Sequence, residues 1–264
     1  MTDQKTPNTN WQLTQGDSLR LLQELPDCSV DAVITDPPYS SGGAFRADRQ
    51  RPTISKYVSG KESLILPEFY GDSRTERGLL LWSSLWLAEA WRVTVPSGAI
   101  AVFCDWRSLP TVSDAIQVGG WSWRGTGVWV KPLDKSRPIK GGLWNDTEYI
   151  LWASRGLRVG GDYLPGSWST AAPSSTTRQH PTEKPQVILD DLVRLAPEGG
   201  TILDPFAGSS ATGVSALRQR RKFIGFELSH DYAERGRKRL SEFTAHGADT
   251  SYSEPGLFTI GGEP

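Results

Sequence analysis

The chain has 264 residues, of which 37% are hydrophobic and 22% are charged. This length and composition allow a full buried core and predict a globular enzyme. The formal net charge of -1 argues against a uniformly basic nucleic-acid binder, although a basic patch remains compatible with it. No stretch approaches the roughly 18 consecutive apolar residues of a membrane span, and the N-terminal decapeptide is polar. We therefore expect no membrane segment, no signal peptide and a cytoplasmic location.

The cysteines and histidines predict neither disulfides nor a metal site. Cys28 and Cys104 are far apart and lie beside apolar, strand-like residues, so we predict that both are reduced core thiols. His180, His230 and His246 are too dispersed for a zinc site. We predict no bound metal.

The first predicted strand leads directly into the most distinctive tetrapeptide of the chain. Residues 30–35 (VDAVIT) are rich in valine and isoleucine, as in a buried strand. Prolines cannot continue a central ladder, so we predict that this strand ends at Asp36. Residues 78–95 then place apolar side chains at three- and four-residue steps and predict an amphipathic helix. Residues 99–104 (AIAVFC) predict the next strand.

The rest of the chain continues the alternation of strands and helices. Residues 127–130 and 148–153 are predicted strands of an antiparallel or edge addition, and the Gly, Ser and Pro-rich residues 154–177 are a predicted loop. The remaining predicted elements are helix 186–196, strand 201–203, helix 211–221 and strand 223–226. This alternation predicts an α/β fold with a doubly wound, mostly parallel sheet.

A nucleoside site is predicted within residues 201–229, TILDPFAGSSATGVSALRQRRKFIGFELS. The small residues 207–210 let the backbone approach a ligand closely, and the following helix offers free N–H groups. Glu227 follows Asp204 by about 20 residues, the spacing at which an acidic residue binds ribose hydroxyls in nucleotide-binding βαβ units. The turn lacks a phosphate-binding Gly-Lys-Ser/Thr ending and a strict GxGxxG. A ligand with a ribose and one carboxylate, such as S-adenosyl-L-methionine, fits it better than a pyrophosphate.

The tetrapeptide Asp36-Pro37-Pro38-Tyr39 predicts a rigid acceptor loop at the carboxyl edge of the sheet, where open α/β sheets bind ligands. The prolines fix φ and remove two N–H groups, which leaves carbonyl oxygens as acceptors. Asp36 and the Pro37 carbonyl can accept the two hydrogens of an exocyclic amino group, while Tyr39 stacks on the base. Taken alone, the tetrapeptide also fits an ordinary turn with a packed tyrosine, and the cofactor segment also fits an ordinary strand-to-helix turn.

Together with their neighbours, these motifs resemble the amino-group DNA methyltransferases of bacteria and phages, in which the catalytic motif precedes the cofactor motif. The matching segments are GDSLRLLQELPDCSVDAVITDPPY, NDTEYILWA, HPTEKPQVILDDLV, ILDPFAGSSATG and FIGFELS. They extend from about residue 15 to residue 239. The resemblance implies a Rossmann-like methyltransferase fold with circularly permuted halves, in one domain over residues 11–240 with flexible termini at 1–10 and 245–264.

The resemblance also assigns the site residues. The catalytic residues are Asp36, Pro37, Pro38 and Tyr39. The cofactor-binding residues are Asp17 near the adenine, Glu227 at the ribose, His180, Thr182 and Lys184 at the methionine end, and Asp204, Pro205, Phe206, Gly208, Ser209 and Leu228 around the loop. One departure is Ser210-Ala211, where the family usually has Gly-Thr. A homodimer is a further implication of the resemblance alone, and a restriction endonuclease partner is left open.

Residues 40–78 are predicted to be an insertion that contacts DNA. This segment has seven basic residues against five acidic ones and follows the catalytic tetrapeptide directly. A solvated loop is the alternative. Trp82, Trp86, Trp121, Trp123 and Trp129 follow helical or strand periodicity and are predicted to be core residues.

The sequence as a whole predicts methylation of adenine N6 in double-stranded DNA. Methylation of cytosine N4, of RNA or of a protein glutamine stays open, as does a non-catalytic DNA-binding relic. The glutamine enzymes carry Asn at the first position of the tetrapeptide and place the cofactor motif first, which counts against that alternative.

Overall fold

The computed structural model describes residues 10–39, 74–133, 140–173 and 183–245. Within these ranges the strands are β1 (Trp11–Gln15), β2 (Val30–Thr35), β3 (Thr94–Cys104), β4 (Ser122–Val130), β5 (Thr147–Ser154), β6 (Ser167–Ser169), β7 (Thr201–Asp204) and β8 (Lys222–Glu227). The helices are α1 (Ser18–Glu24), α2 (Glu76–Val93), α3 (Leu109–Val118), α4 (Gln186–Leu192), α5 (Ala211–Arg218) and α6 (His230–Ala245), with a 3-10 turn at Val193–Leu195.

All these strands belong to one sheet in the order β1-β8-β7-β2-β3-β5-β4-β6. The ladders from β1 to β3 are parallel, whereas β5 is antiparallel to both β3 and β4. The predicted α/β fold with a doubly wound, mostly parallel sheet is therefore confirmed. The antiparallel addition formed by β4 and β5 is also confirmed.

Helices cover both faces of the sheet, and the two cores follow the alternation of side chains along each strand. Along β2, Ala32 and Ile34 face the core that α4, α5 and α6 cover, whereas Val33 faces the core that α1, α2 and α3 cover. Both faces of β2 are buried, which explains its run of apolar residues. The result is a three-layer α/β/α arrangement.

The strands β2 and β7 are neighbours at the point where the chain reverses its winding direction. The crossover from β2 leads through α2 to β3 on one side, and the crossover from β7 leads through α5 to β8 on the other side. The loops that follow β2 and β7 therefore diverge and leave a crevice between them, where doubly wound sheets bind their ligands. Asp36 and Asp204 lie at the two sides of this crevice.

Several element boundaries differ from the predictions for identifiable local reasons. The long helix begins at Glu76 because Thr75 caps it, with Thr75 Oγ1 accepting from Gly78 N at 3.2 Å. The helix predicted over residues 211–221 ends at Arg218, since Arg220 turns into the left-handed region at φ 58°. The predicted loop 154–177 contains the short strand β6, which pairs with β4.

The predicted burial of tryptophans and cysteines is right at most positions and wrong at two. Trp86, Trp121 and Trp129 are buried, and Trp82 is partly buried. Trp123 is 42% exposed at the start of β4, where a register shift between Trp123 and Gly125 interrupts the alternation of side chains, so its core assignment is wrong. Cys104 is buried in β3, but Cys28 is exposed in the turn before β2, so only one of the two thiols is a core residue.

Some predictions fall outside the described residues. The predicted insertion at 40–78 is described only from Arg74 onward, and residues 1–9 and 246–264 of the predicted termini lie outside these ranges, as do His180 and Thr182. In the part of the chain that the structure describes, no helix is long and apolar enough to span a membrane.

Candidate active site at the carboxyl edge of the sheet

The Asp36-Pro37-Pro38-Tyr39 loop leaves the sheet at the end of β2 and is tied to the loop after the neighbouring strand. Ser108 Oγ donates a hydrogen bond to the carbonyl of Tyr39 at 2.8 Å, and Tyr39 is 8% exposed. β3 lies parallel to β2, so the loop that carries Ser108 leaves from the same edge. The tetrapeptide is therefore held at both ends, by β2 and by the residues that follow β3.

The carboxylate of Asp36 forms an ion pair with a lysine from a distant part of the chain. Lys184 Nζ lies 2.5 Å from Asp36 Oδ2 and 3.5 Å from Glu148 Oε2, and its side chain is 5% exposed. Burial alone would lower the pKa of Lys184, but the carboxylates of Asp36 and Glu148 outweigh it and raise that pKa. The family resemblance implied a place for Lys184 at the methionine end of the cofactor, and its ammonium group contacts the Asp36-Pro37-Pro38-Tyr39 loop.

Glu148 is a site residue that the sequence analysis did not assign. It is the second residue of β5, beside the carboxyl end of β3, and Lys131 Nζ forms an ion pair with its Oε1 atom. Burial favours a higher pKa for Glu148, yet Lys184 and Lys131 together lower that pKa below its usual value. The only sequence signal was the NDTEYILWA segment, which contains Glu148 without indicating a function.

Asp204 shapes the turn after β7. Its Oδ1 atom accepts hydrogen bonds from Thr35 Oγ1 at 2.7 Å and from Phe206 N at 3.1 Å, and the side chain is buried. Burial raises the pKa of Asp204 to about 6, although its hydrogen bonds oppose the shift. Asp204 therefore fixes the first residues of the loop 205–210, which is the predicted cofactor loop.

Two residues of the cofactor loop adopt left-handed backbone conformations. Gly208 has φ 50°, a region that glycine enters without steric cost. Ser210 has φ 62° immediately before α5, and this is the position where the resembling family usually has glycine. Ser210 therefore adopts, at some conformational cost, a backbone region that glycine enters freely.

Glu227 lies at the carboxyl end of β8 and is joined to the cofactor loop. Its Oε2 atom accepts from Gly208 N at 2.9 Å, and its Oε1 atom accepts from Ser229 N at 2.7 Å. Burial raises the pKa of Glu227, while the hydrogen bonds from backbone amides oppose this shift. Each carboxylate oxygen has a second lone pair, so Glu227 has acceptor capacity for ligand hydroxyls as well.

The turn after β1 completes this side of the edge. Gly16 N donates to the carbonyl of Glu227 at 2.9 Å, and Ser18 Oγ donates to the carbonyl of Pro205 at 2.5 Å. Asp17 lies between Gly16 and Ser18 in the sequence, and its Oδ1 atom caps α1 by accepting from Arg20 N at 3.1 Å. The structure thus brings Asp17, Pro205 and Glu227 to one place.

An arginine of α6 connects the HPTEKP segment to the same loop. Arg239 Nη1 forms an ion pair with Glu183 at 2.9 Å and donates a hydrogen bond to the Ser209 carbonyl at 3.4 Å. This contact brings the described end of HPTEKP beside the cofactor loop.

Aromatic rings lie between the loop 205–210 and α2. Phe206 contacts Trp82 and Trp86, with ring centroids 5.3 Å apart in both pairs. The guanidinium of Arg74 lies 4.0 Å from the centroid of the Trp82 ring. Leu228 follows Glu227 and is 50% exposed at the same edge. The site therefore combines carboxylates, a tight small-residue turn and an apolar surface.

A family model described as DNA methylase matches residues 30–160 and 158–238 of this chain. A putative methylase of Escherichia coli is 32% identical over 230 residues, which cover 86% of this chain and 88% of the relative. The type II methyltransferase M2.LlaDCHI of Lactococcus lactis is 27% identical and covers 89% of this chain and 91% of its own length. The chain belongs to the DNA amino-methyltransferase family. Members of this family methylate adenine N6 or cytosine N4 with S-adenosylmethionine.

Solved structures have the same fold. The complex of M1.HpyAVI with S-adenosylmethionine is 24% identical, has a TM-score of 0.62 and covers 87% of this chain and 98% of its own. The cytosine-N4-specific PvuII methyltransferase is 16% identical and has a TM-score of 0.63, and the match covers 90% of this chain and 93% of the PvuII chain. At these identities the likeness shows the fold.

S-adenosylmethionine fits the residues at this edge. The Glu227 carboxylate suits a ribose, the turn at Gly208 allows close approach of the backbone, and the Phe206 ring provides an apolar contact. This cofactor carries a reactive methyl group on its sulfonium, so the family assignment and the chemistry of the edge agree.

Proposed function

We propose that this DNA methyltransferase methylates the N6 amino group of adenine at specific sites in double-stranded DNA. The observation that carries the proposal is the position of Asp36. Its carboxylate lies at the carboxyl end of β2, next to the loop that follows β7, and Lys184 holds it at 2.5 Å. An anionic acceptor is thereby fixed beside the proposed cofactor loop.

In the proposed reaction, Asp36 and the carbonyl of Pro37 accept the two hydrogens of the amino group. These hydrogen bonds orient the nitrogen lone pair, which is otherwise conjugated into the ring and poorly nucleophilic. Tyr39 contacts the plane of the flipped base, and Pro38 keeps the loop rigid. Much of the acceleration then comes from holding the two reactants in line.

Methyl transfer breaks the bond between the sulfonium and its methyl group and forms a bond from this carbon to N6. The sulfonium keeps the electron pair of the broken bond and becomes a thioether. The amino nitrogen gains a positive charge and releases one proton, which Asp36 is placed to accept. The products are N6-methyladenine, S-adenosylhomocysteine and a proton.

The proposed cofactor site lies on the β1, β7 and β8 side of the crevice. Glu227 binds the ribose hydroxyls, and Asp17 lies near the adenine of the cofactor. The loop formed by Asp204, Pro205, Phe206, Gly208 and Ser209, with Leu228 beside it, surrounds the ligand. Support comes from the hydrogen bonds that join Gly16, Ser18 and Gly208 to this group. His180 and Thr182 keep their proposed place at the methionine end.

Adenine is favoured over cytosine because of the first residue of the tetrapeptide. A carboxylate is a stronger acceptor than the hydroxyl of serine, and charge-assisted hydrogen bonds are roughly twice as strong as neutral ones. In the resembling family, Asp accompanies adenine more often, and Ser is commoner in the cytosine enzymes. Lys184 keeps a positive charge beside Asp36, which favours the ionised carboxylate that this preference requires.

Nucleoside mass spectrometry tests the proposal. DNA methylated by the purified enzyme is digested to nucleosides, and the product is expected to be N6-methyladenine. N4-methylcytosine without N6-methyladenine would refute the adenine assignment and leave the family assignment intact. Parallel assays with single-stranded DNA and RNA test the choice of nucleic acid.

A further inference from the structure

A chain of alternating charges, with the buried Lys184 at its centre, runs from the proposed catalytic loop to the antiparallel strands. Lys184 lies between Asp36 and Glu148, with Nζ 2.5 Å from Asp36 Oδ2 and 3.5 Å from Glu148 Oε2. Lys131 continues the chain as the second cation paired with Glu148. The exposed side-chain fractions are 5% for Lys184 and 16% for Glu148, so these ion pairs are weakly screened by solvent.

The position of Glu148 follows from the topology of the sheet. β5 is antiparallel to β3, and Cys104 at the end of β3 pairs with Tyr149. Thr147 and Glu148 therefore extend past the end of β3, toward the edge that carries Asp36. Lys131 reaches the same edge because Val130, at the end of β4, pairs with Thr147.

A buried ammonium group on a flexible lysine needs more than one partner to keep both its charge and its position. Burial would lower the pKa of Lys184, and the two carboxylates together raise it instead. The lysine side chain has several rotatable bonds, so contact with Asp36 alone would leave its direction poorly fixed. The second contact, with Glu148, restricts the ammonium group to one position from which it bonds Asp36 Oδ2. The plane of the Asp36 carboxylate is fixed in turn.

We propose that Glu148 is a positioning residue for methyl transfer, which acts through Lys184 to orient the Asp36 carboxylate toward the target amino group. This inference rests on the proposed role of Asp36 as the amino-group acceptor. Lys184 thereby belongs to the catalytic loop and not to the methionine end of the cofactor site.

The test compares Glu148→Gln with the wild-type enzyme and with a matched control, Glu198→Gln. Glu198 is exposed and lies before β7, at the opposite edge of the sheet. In Glu148→Gln, kcat is expected to fall about 10- to 100-fold, the scale of a small misplacement of a catalytic group. The Kd for S-adenosylmethionine, measured by calorimetry, is expected to stay within about twofold, and Glu148→Asp is expected to recover part of kcat.

A purely structural role for Lys184 would not alter the pH dependence of kcat. We expect Lys184→Met to move the acidic limb of that profile to higher pH, because a carboxylate without its adjacent cation is protonated more readily. The double variant Glu148→Gln with Lys184→Met removes both charges of this ion pair, so neither residue is left as an unpaired charge that could cause misfolding. Its kcat is expected to be no lower than that of Lys184→Met, since the two residues act in series.

The outcomes separate this inference from the proposed function. An unchanged kcat in Glu148→Gln, with active wild type, rejects the positioning role alone. A loss of cofactor affinity in proportion to kcat places Lys184 at the cofactor instead and also rejects it. A wild-type enzyme that transfers no methyl group to DNA rejects the proposed function before these variants are compared.

Discussion

Thr35 Oγ1 donates a hydrogen bond to Asp204 Oδ1 at 2.7 Å, and this bond joins the two halves of the site. Thr35 immediately precedes Asp36 on β2, whereas Asp204 ends β7 and also accepts from Phe206 N. The proposed catalytic tetrapeptide and the proposed cofactor loop are thus connected through one buried carboxylate.

The buried carboxylate of Asp204 predicts a pH-dependent stability. Its pKa is raised from 3.8, the usual value, which we take for the unfolded chain, to about 6 in the folded protein. The protonated carboxyl group therefore adds to the free energy of unfolding fully below the unfolded pKa, and this stabilisation is lost as pH rises through the folded pKa. Between about pH 5 and about pH 7.5, the free energy of unfolding should fall by about 1.4 kcal/mol more in the wild type than in Asp204→Asn. Urea denaturation at both pH values measures this, and equal slopes for the two proteins would contradict it.

Ser210→Gly is predicted to stabilise the protein. Ser210 has φ 62°, and among the described residues its buried hydroxyl has no hydrogen-bond partner. Glycine removes both costs, while its greater freedom in the unfolded chain offsets part of the gain. We expect a net increase of about 1 kcal/mol in the free energy of unfolding, measured by chemical denaturation. Ser210→Ala keeps the left-handed strain and serves as the control. A Ser210→Gly variant no more stable than Ser210→Ala would show that this strain is negligible.

Glu227→Ala is predicted to weaken cofactor binding. The carboxylate is assigned to the ribose and also holds the amide of Gly208. The loss should be about 1.5 to 3 kcal/mol, the scale of hydrogen bonds to a charged group. Calorimetric titration with S-adenosylmethionine measures it, with Glu227→Gln as the variant that keeps one acceptor oxygen. A dissociation constant equal to that of the wild type would exclude the ribose role.

The basic residues that follow the tetrapeptide are predicted to contact DNA phosphates. Neutralising Arg46, Arg49 and Arg51 should weaken binding to all DNA sequences and flatten its salt dependence. The matched control neutralises the exposed residues Arg220, Lys222 and Lys238, of which Arg220 and Lys222 lie at the amino end of β8, at the opposite edge of the sheet. Fluorescence anisotropy over a range of salt concentrations compares the two triple variants. Equal salt slopes would assign the DNA path to another surface.

The sequence predicted those strands and helices that a pattern within a few neighbouring residues defines. The strand at residues 30–35 is rich in valine and isoleucine and is followed by Asp36 and two prolines, and the structure has it with the same bounds. The three-residue strand β6 was missed because its only support is the ladder with β4, about 40 residues away along the chain. Such pairing leaves no periodic pattern in a short segment.

The candidate site shows the same limit. The sequence pattern could place Asp36 and Glu227 at the ends of strands, because strand ends carry local signals. It could not show that Lys184 meets Asp36, or that Glu148 meets Lys184, since these contacts join segments far apart in the chain. Cys28 was misplaced in the core for the opposite reason, since apolar neighbours suggested a strand where the chain turns.

Methyl transfer by Asp36→Ala, measured together with cofactor binding, tests most directly that the tetrapeptide is the catalytic loop. The assay follows tritiated methyl groups from S-adenosylmethionine into DNA, and calorimetry gives the Kd for the cofactor. Asp27→Ala, an exposed carboxylate in the turn before β2, is the matched control. We predict that Asp36→Ala loses at least about 100-fold in transfer while its cofactor Kd stays within about twofold of the wild type. Methyl transfer at the wild-type rate, or a loss of cofactor binding as large as the loss of transfer, would contradict the assignment of the tetrapeptide as the catalytic loop.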